Sequence, residues 1–251
     1  MLKVRVIPLI QLYGSSAVKT IKFKEHRVVG DAISTIKIFS KRMADEMIIV
    51  DINASKTKRI NFSFLKKISQ ECIMPLTLGG GIRSENDVQK MFDSGADKIV
   101  VNSLFFENIN LLEKIIIKYG SQAVVFSMDL YKKDKAYKIF SNSKKKFDDS
   151  IDIPSFLKKI RNIGIGEILL NSVERDGTMS GYDCELIEIF SKKADIPIIA
   201  AGGCGKSEDC VNAIESGANA VAAGSIFYWV GESIMSVKNY MSKSGINVRL
   251  T

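Results

Sequence analysis

Short apolar runs alternate along this chain with longer stretches in which apolar residues recur every three or four positions. The runs are Val4–Leu9, Met47–Val50, Met74–Leu78, Ile99–Val101, Val124–Met128, Ile168–Leu170, Ile198–Ala201 and Ala220–Ala223. A short continuous apolar run bounded by polar or Gly-rich residues reads as a strand buried on both faces, and a three-to-four spacing reads as an amphipathic helix. Helix-period stretches lie between the runs, over Ala32–Arg42, Phe62–Ser69, Glu85–Asp93, Leu111–Tyr119, Phe156–Ile163, Glu185–Lys193, Glu208–Glu215 and Ile234–Ser242. Ser84 with Asp87, and Ser207 as a cap, mark helix starts. Such alternation predicts a parallel sheet. Eight units within 251 residues predict an α/β fold closed as a (β/α)8 TIM barrel rather than an open doubly wound sheet. No Pro/Gly-rich linker interrupts the pattern, so residues 1–251 are expected to form one domain. The segment Leu130–Asp152 is the longest insertion, with Lys135–Phe140 expected as a hairpin strand and Lys144-Lys145-Lys146 as a mobile loop on the active face.

The pattern also repeats. A shift of 122 residues superposes Pro75 on Pro197, Gly80-Gly81 on Gly202-Gly203, Asp87 on Asp209, Ser94-Gly95-Ala96 on Ser216-Gly217-Ala218 and Ser103 on Ser225. A repeat this long is a duplicated half-domain rather than a solenoid unit. Each copy reads strand, glycine turn, helix, strand, small polar turn. Glycines directly after a strand let backbone N–H groups approach an anion that the next helix N-terminus also favours. Two phosphate sites are therefore expected, one at Gly80, Gly81, Asn102 and Ser103, the other at Gly202, Gly203, Gly224 and Ser225. Few substrates carry a phosphate at each end.

The duplication exposes an asymmetry as well. Ile10-Gln11-Leu12-Tyr13 corresponds to Met128-Asp129-Leu130-Tyr131. A pseudo-symmetric site would present two facing carboxylates, one acting as general acid and the other as general base. Here one of them is Gln11, which donates and accepts hydrogen bonds but exchanges no proton near neutral pH. At the opposite ends of the strands stand Arg5, Glu46, Lys98 and Glu167. Charges pointing into a barrel floor are costly unless paired, and two plus two is neutral.

Composition narrows the classes. Hydrophobic residues make up 46% of the chain, which is globular usage. The net charge is +8, but the lysines are scattered in pairs such as Lys66-Lys67 and Lys192-Lys193 without an aromatic-studded groove. Nucleic acid is therefore not expected, and anionic small molecules are. No apolar run approaches the ~18 residues of a membrane span, and the start lacks a signal-peptide core, so a cytoplasmic protein is expected. Cys72, Cys184, Cys204 and Cys210 show no C-x-x-C spacing, and His26 is the sole histidine. Reduced thiols are expected, with no metal and no cofactor. His26 is read as a solvated loop residue, Trp229 as an anchor of the last helix against the barrel, and Arg83 and Arg249 as loop or partner contacts.

Val4-Arg-Val-Ile-Pro8, Gly30-Asp31, Ala44–Asp51, Leu76–Ser84, Gly166–Ser172, Arg175–Thr178, Gly181-Tyr-Asp183 and the closing Gly245–Leu250 together resemble the cyclase subunit of imidazole glycerol phosphate synthase, the HisF type. The resemblance spans essentially the whole chain. It implies a barrel that takes ammonia from a glutaminase docked on its amino-terminal face and adds it to a bis-phosphorylated substrate at the carboxyl-terminal face. By it, Lys19, Asp51, Gly81, Asn102, Ser103, Asp129, Asp176, Gly202, Gly203 and Ser225 match positions around the substrate and its phosphates. It also makes Arg5, Glu46, Lys98 and Glu167 an ammonia gate. Asn171 and Ala201 stand where hydroxyl residues are common, the loop Ser141–Phe147 lacks the usual Gly-Gly turn, and Gln11 replaces a catalytic aspartate. HisF-like paralogues that accompany amidotransferases, converting an acetamido group of a bacterial surface sugar to an acetamidino group, resemble this chain in lacking that aspartate. They also share segments like Val18–Lys24. Three functions follow as expectations: an ammonia-delivering subunit for sugar amidation with a sugar-activating amidotransferase, a histidine-pathway cyclase, or a non-catalytic scaffold that activates the glutaminase.

Overall fold

Eight parallel strands close on themselves, and the apolar runs are those strands. The structure, a computed structural model, describes residues 2–57, 59–134, 136–141, 146–148 and 152–250. In chain order its strands are β1 (Arg5–Tyr13), β2 (Ser16–Thr20), β3 (His26–Asp31), β4 (Met47–Asp51), β5 (Leu76–Gly79), β6 (Lys98–Val101) and β7 (Val124–Lys133). They continue with β8 (Ala136–Ser141), β9 (Lys146–Asp148), β10 (Glu167–Ser172), β11 (Ile198–Ala201) and β12 (Ala220–Ala223). The order β10-β11-β12-β1-β4-β5-β6-β7 is closed by pairing of β7 with β10. Both seams are parallel, with Arg5 opposite Ala220 at one and Asp129 opposite Asn171 at the other. This is the (β/α)8 TIM barrel.

Alternate side chains divide the core in two. Val6, Ile10, Ile49, Leu78, Phe126, Leu170 and Val221 point out and pack under the helices, while Ile7, Leu9, Ile48, Val100, Val125, Leu169 and Ile199 fill the bore. Both faces are apolar, which is why the strands read as runs and not as alternation. The helices behave as their periodicity implies: Ile153–Ile163, for instance, buries Phe156, Leu157, Ile160 and Ile163. Ser84 and Asp87 form a capping box at the start of Glu85–Asp93. Among the described residues, no helix is long and apolar enough to cross a membrane, no group of His, Cys, Asp and Glu could hold a metal, and the four cysteines are free thiols.

Several expectations need correction. Strand β1 does not end at Leu9 but runs to Tyr13, because Gln11, Leu12 and Tyr13 pair antiparallel with β2, which pairs with β3. His26 therefore opens a strand instead of lying in a loop, and its ring stacks on Tyr13 with centroids 4.4 Å apart. Ser207 is the first residue of its helix, and the cap position is Lys206. Trp229 is not a buried anchor: it is 52% exposed, and Ile226 and Phe227 of the same short helix are the buried apolar residues. Of the presumed Lys144–Lys146 loop, Lys146 begins β9, and the rest lies outside the described residues. So does most of the Ser141–Phe147 segment that was read as lacking a Gly-Gly turn.

Candidate functional site

The barrel floor carries the four charges, each from the start of a strand. Arg5 Nη1 donates to Glu46 Oε2 at 2.6 Å and Nη2 to Glu167 Oε1 at 2.5 Å. Lys98 Nζ donates to Glu46 Oε1 at 2.9 Å and to Glu167 Oε2 at 2.8 Å. Each carboxylate thus bridges both cations, and the ring is closed on all four sides. Thr77, unmarked by its sequence context, adds a donor to Glu46 Oε1 at 3.1 Å. Burial opposes the charge of Glu167, but hydrogen bonds from Arg5 and then Lys98 outweigh it and hold the carboxyl below the usual glutamate range. Burial likewise opposes the Arg5 guanidinium, and Glu167 and Glu46 more than reverse it. Such pairing is what makes charges tolerable at this depth. Above the ring the bore is aliphatic up to Val50, Leu169 and Ala201.

At the carboxyl-terminal mouth the expected residues gather in two clusters. In the first, Gln11 is held by Thr20: its Nε2 donates to Thr20 Oγ1 and its Oε1 accepts from Thr20 N, both at 3.0 Å. The Thr20 hydroxyl donates to Asp176 Oδ2 at 2.5 Å, and Lys19 Nζ donates to Asp176 Oδ1 at 3.0 Å. All four side chains are buried. Gln11 uses both ends of its carboxamide to fix the β2 strand, a role that its sequence position did not disclose. Thr20 is a residue that sequence reading missed.

The second cluster surrounds Asp129, 2% exposed. Its carboxylate accepts from Asn102 Nδ2 at 3.2 Å, Ser127 Oγ at 3.2 Å and Asn171 Nδ2 at 3.3 Å. Ser127 also escaped the sequence reading, although it stands two residues before Asp129 on the same inward face, a spacing that could have found it. Asp51 ends β4, and its Oδ1 accepts from Asn53 N and Ala54 N at 2.9 and 3.0 Å. Burial pushes the Asp51 carboxyl up, against the pull of those two hydrogen bonds.

The glycine turns follow β5 and β11. Gly80 and Gly81 have φ of 108° and 74°, Gly202 and Gly203 of 87° and 106°. A Cβ on Gly80 would stand 2.2 Å from Asp51 O, so this backbone is pressed on the end of β4 in a way only glycine allows. Asn102-Ser103 and Gly224-Ser225 occupy the matching positions after β6 and β12, and the Lys19 side chain lies over Gly224. Arg83 reaches Ala54 O at 3.4 Å, a loop contact.

Comparison of the sequence with known proteins places the chain in a family. A family model described as histidine biosynthesis protein matches residues 5–231. The chain is 39% identical over 250 residues to a Campylobacter jejuni protein named "Putative imidazole glycerol phosphate synthase subunit hisF2". It is 37% identical over 252 residues to the imidazole glycerol phosphate synthase subunit HisF of Dictyoglomus thermophilum, and 39% over 254 residues to that of Clostridium botulinum. Each match covers 100% of both chains.

Proposed function

The chain belongs to the histidine biosynthesis protein family, as a HisF-type member, and on that premise we propose that it is the ammonia-using subunit of a glutamine amidotransferase complex. The observation that carries this reading is the closed ring of Arg5, Glu46, Lys98 and Glu167 beneath an aliphatic bore. Ring and bore share one axis, so a small neutral molecule admitted at the floor would emerge beside Asp129 without meeting bulk water. A glutaminase on the amino-terminal face supplies that molecule as ammonia, and the ring opens when the partner docks. The phosphates of the acceptor site would rest on the two glycine turns, with Asn102, Ser103, Gly224 and Ser225 beside them. The complex works in the cytoplasm.

For the acceptor we favour an acetamido sugar, activated by a separate amidotransferase during surface-glycan synthesis. Gln11 supports this: it exchanges no proton, and Thr20 occupies both ends of its carboxamide. Cyclisation with two proton transfers would lose roughly 10²–10⁴ in rate with one acid–base group gone. A histidine-pathway cyclase is the second reading, favoured by Lys19, Asp51, Asp129 and Asp176 all standing at the mouth.

The test is a coupled assay of the chain with its glutaminase and candidate acceptors, run with glutamine and separately with ammonium. The lone chain should use ammonium only. Lys98→Ala should reduce glutamine-dependent output more than ammonium-dependent output; equal loss would leave the ring a purely structural device. Robust cyclisation of the histidine-pathway intermediate, abolished by Asp129→Asn, would establish the second reading instead.

A further inference from the structure

The two glycine turns are followed by the same cap but flanked by different side chains. Asp87 Oδ2 accepts from Arg83 N and Ser84 N, both at 3.0 Å. Asp209 Oδ2 accepts from Gly205 N at 2.8 Å and Lys206 N at 3.0 Å. The 122-residue shift that aligns these caps also pairs Arg83 with Gly205 and Asn53 with Arg175. Each half therefore keeps one arginine at its turn, but on opposite sides. In the first half it follows the turn itself, and in the second it stands on the neighbouring loop, after β10. Gly205 leaves no room for one, since a Cβ there would meet Met179 O at 2.4 Å.

From these two sides the arginines do the same thing. Arg83 Nη2 donates to Ala54 O at 3.4 Å. Arg175 Nη1 donates to Ser180 O and Gly181 O, both at 3.2 Å. The held carbonyls press on the second glycine of each turn: a Cβ on Gly81 would lie 3.1 Å from Ala54 O, and one on Gly203 2.2 Å from Gly181 O. Gly181 N also donates to Gly203 O at 2.9 Å, which ties the held loop to the turn. A carbonyl oxygen is the negative end of the peptide dipole, and beside an anion it opposes binding unless a donor occupies it. A guanidinium supplies that donor together with a permanent positive charge.

We infer that Arg83 and Arg175 are positioning residues for the two anion sites, each holding the carbonyl that abuts the second glycine of its turn. The inference rests on the reading of both turns as phosphate sites. It assigns one arginine to each end of a ligand that carries two phosphates, Arg83 to the end at Gly80-Gly81 and Arg175 to the end at Gly202-Gly203. Each arginine acts through the backbone it holds, so loss of one loosens one end only.

Sulfate is the probe, and the backbone amide signals of Gly80, Gly81, Gly202 and Gly203 report the two turns separately in one NMR titration. In Arg83→Ala, sulfate affinity should fall about tenfold at Gly80-Gly81, the scale of one hydrogen bond to a charged group, and stay unchanged at Gly202-Gly203. Arg175→Ala should show the reverse. Arg83 is exposed and Arg175 only partly buried, so neither substitution strands a buried charge. Arg83→Lys and Arg175→Lys, whose single ammonium still reaches a carbonyl, should each recover part of the loss. A second readout needs no anion: the Gly181 N–H should exchange with solvent faster in Arg175→Ala, because its bond to Gly203 O is no longer held in place. Weaker sulfate binding with an unmoved Gly181 exchange rate would reduce Arg175 to a charge and overturn the inference. Equal weakening at both turns in either alanine variant would do the same. Sulfate bound at both turns but indifferent to either arginine overturns the inference alone, whereas sulfate at neither turn of the unmodified chain overturns it together with the phosphate-site reading.

Discussion

At the scale of single residues, the departure at position 11 is woven into its surroundings. Gln11 meets both the N–H and the hydroxyl of Thr20, and that hydroxyl goes on to Asp176. Gln11→Asp would set a shorter carboxylate beside a hydroxyl already committed to another carboxylate. We expect it to destabilise the chain by about 1–3 kcal/mol, the range for a buried polar group left unmatched, measured by urea unfolding, and to restore at most part of a cyclase activity. A fully stable and fully active Gln11→Asp protein would contradict this. Thr20→Val should cost a similar amount, because Asp176 keeps only Lys19 as its side-chain donor in the cluster. Glycine 80 gives a sharper expectation. Gly80→Ala places a Cβ 2.2 Å from Asp51 O at φ of 108°, so a loss of roughly 1–3 kcal/mol from backbone strain alone should appear in the same measurement.

The elements carry the next level of prediction. The floor ring joins β1, β4, β6 and β10 through four ion pairs, and Lys98→Ala leaves two carboxylates sharing a single cation. Breaking a buried pair in this way costs about 3–5 kcal/mol, a figure to be checked by denaturant titration and expected at the lower end because the ring is partly open to solvent. The pH dependence follows from Glu167, whose carboxyl is held below the ordinary value. A depressed carboxyl contributes stability that is present above its unfolded pKa, near 4.3, and lost as pH falls through the lower folded value. Unfolding midpoints followed from pH 6 downward should therefore fall below about pH 4, and the fall should be shallower in Glu167→Gln.

The barrel strands and most helices were legible because burial on both faces leaves a strong apolar signature, and helix Glu85–Asp93 is bounded as its pattern implied. The β2–β3 hairpin was not. Its turn uses Lys22 and Phe23 at φ of 52° and 58°, without the Asn-Gly signal that usually marks such a turn, and its charged strands lack an apolar run. Thr20 was hidden with it. The Gln11–Asp129 asymmetry was legible because the duplication supplied its own reference, and the floor charges because four ionisable residues stand at strand starts with a balance of two plus two.

At the scale of the whole molecule, the proposed function puts supply and use of ammonia at opposite ends of one closed bore, and the glutamine-against-ammonium comparison tests that proposal directly. Closure has a further consequence, for how the chain reaches this state. The lower half of β1, Arg5–Pro8, pairs with Ala220–Ala223, partners separated by most of the sequence. Contacts of such long reach form slowly, since the ends must meet before the pairing rewards them. The hairpin strand β2 covers only the upper half of that edge, from Gln11 to Tyr13. During synthesis, Arg5-Val-Ile-Pro8 must therefore wait with an open, apolar edge until the final strand has emerged. Refolding should show a late phase that brings β12 onto β1, and a chain halted before Ala220 should be prone to self-association through that unpaired edge.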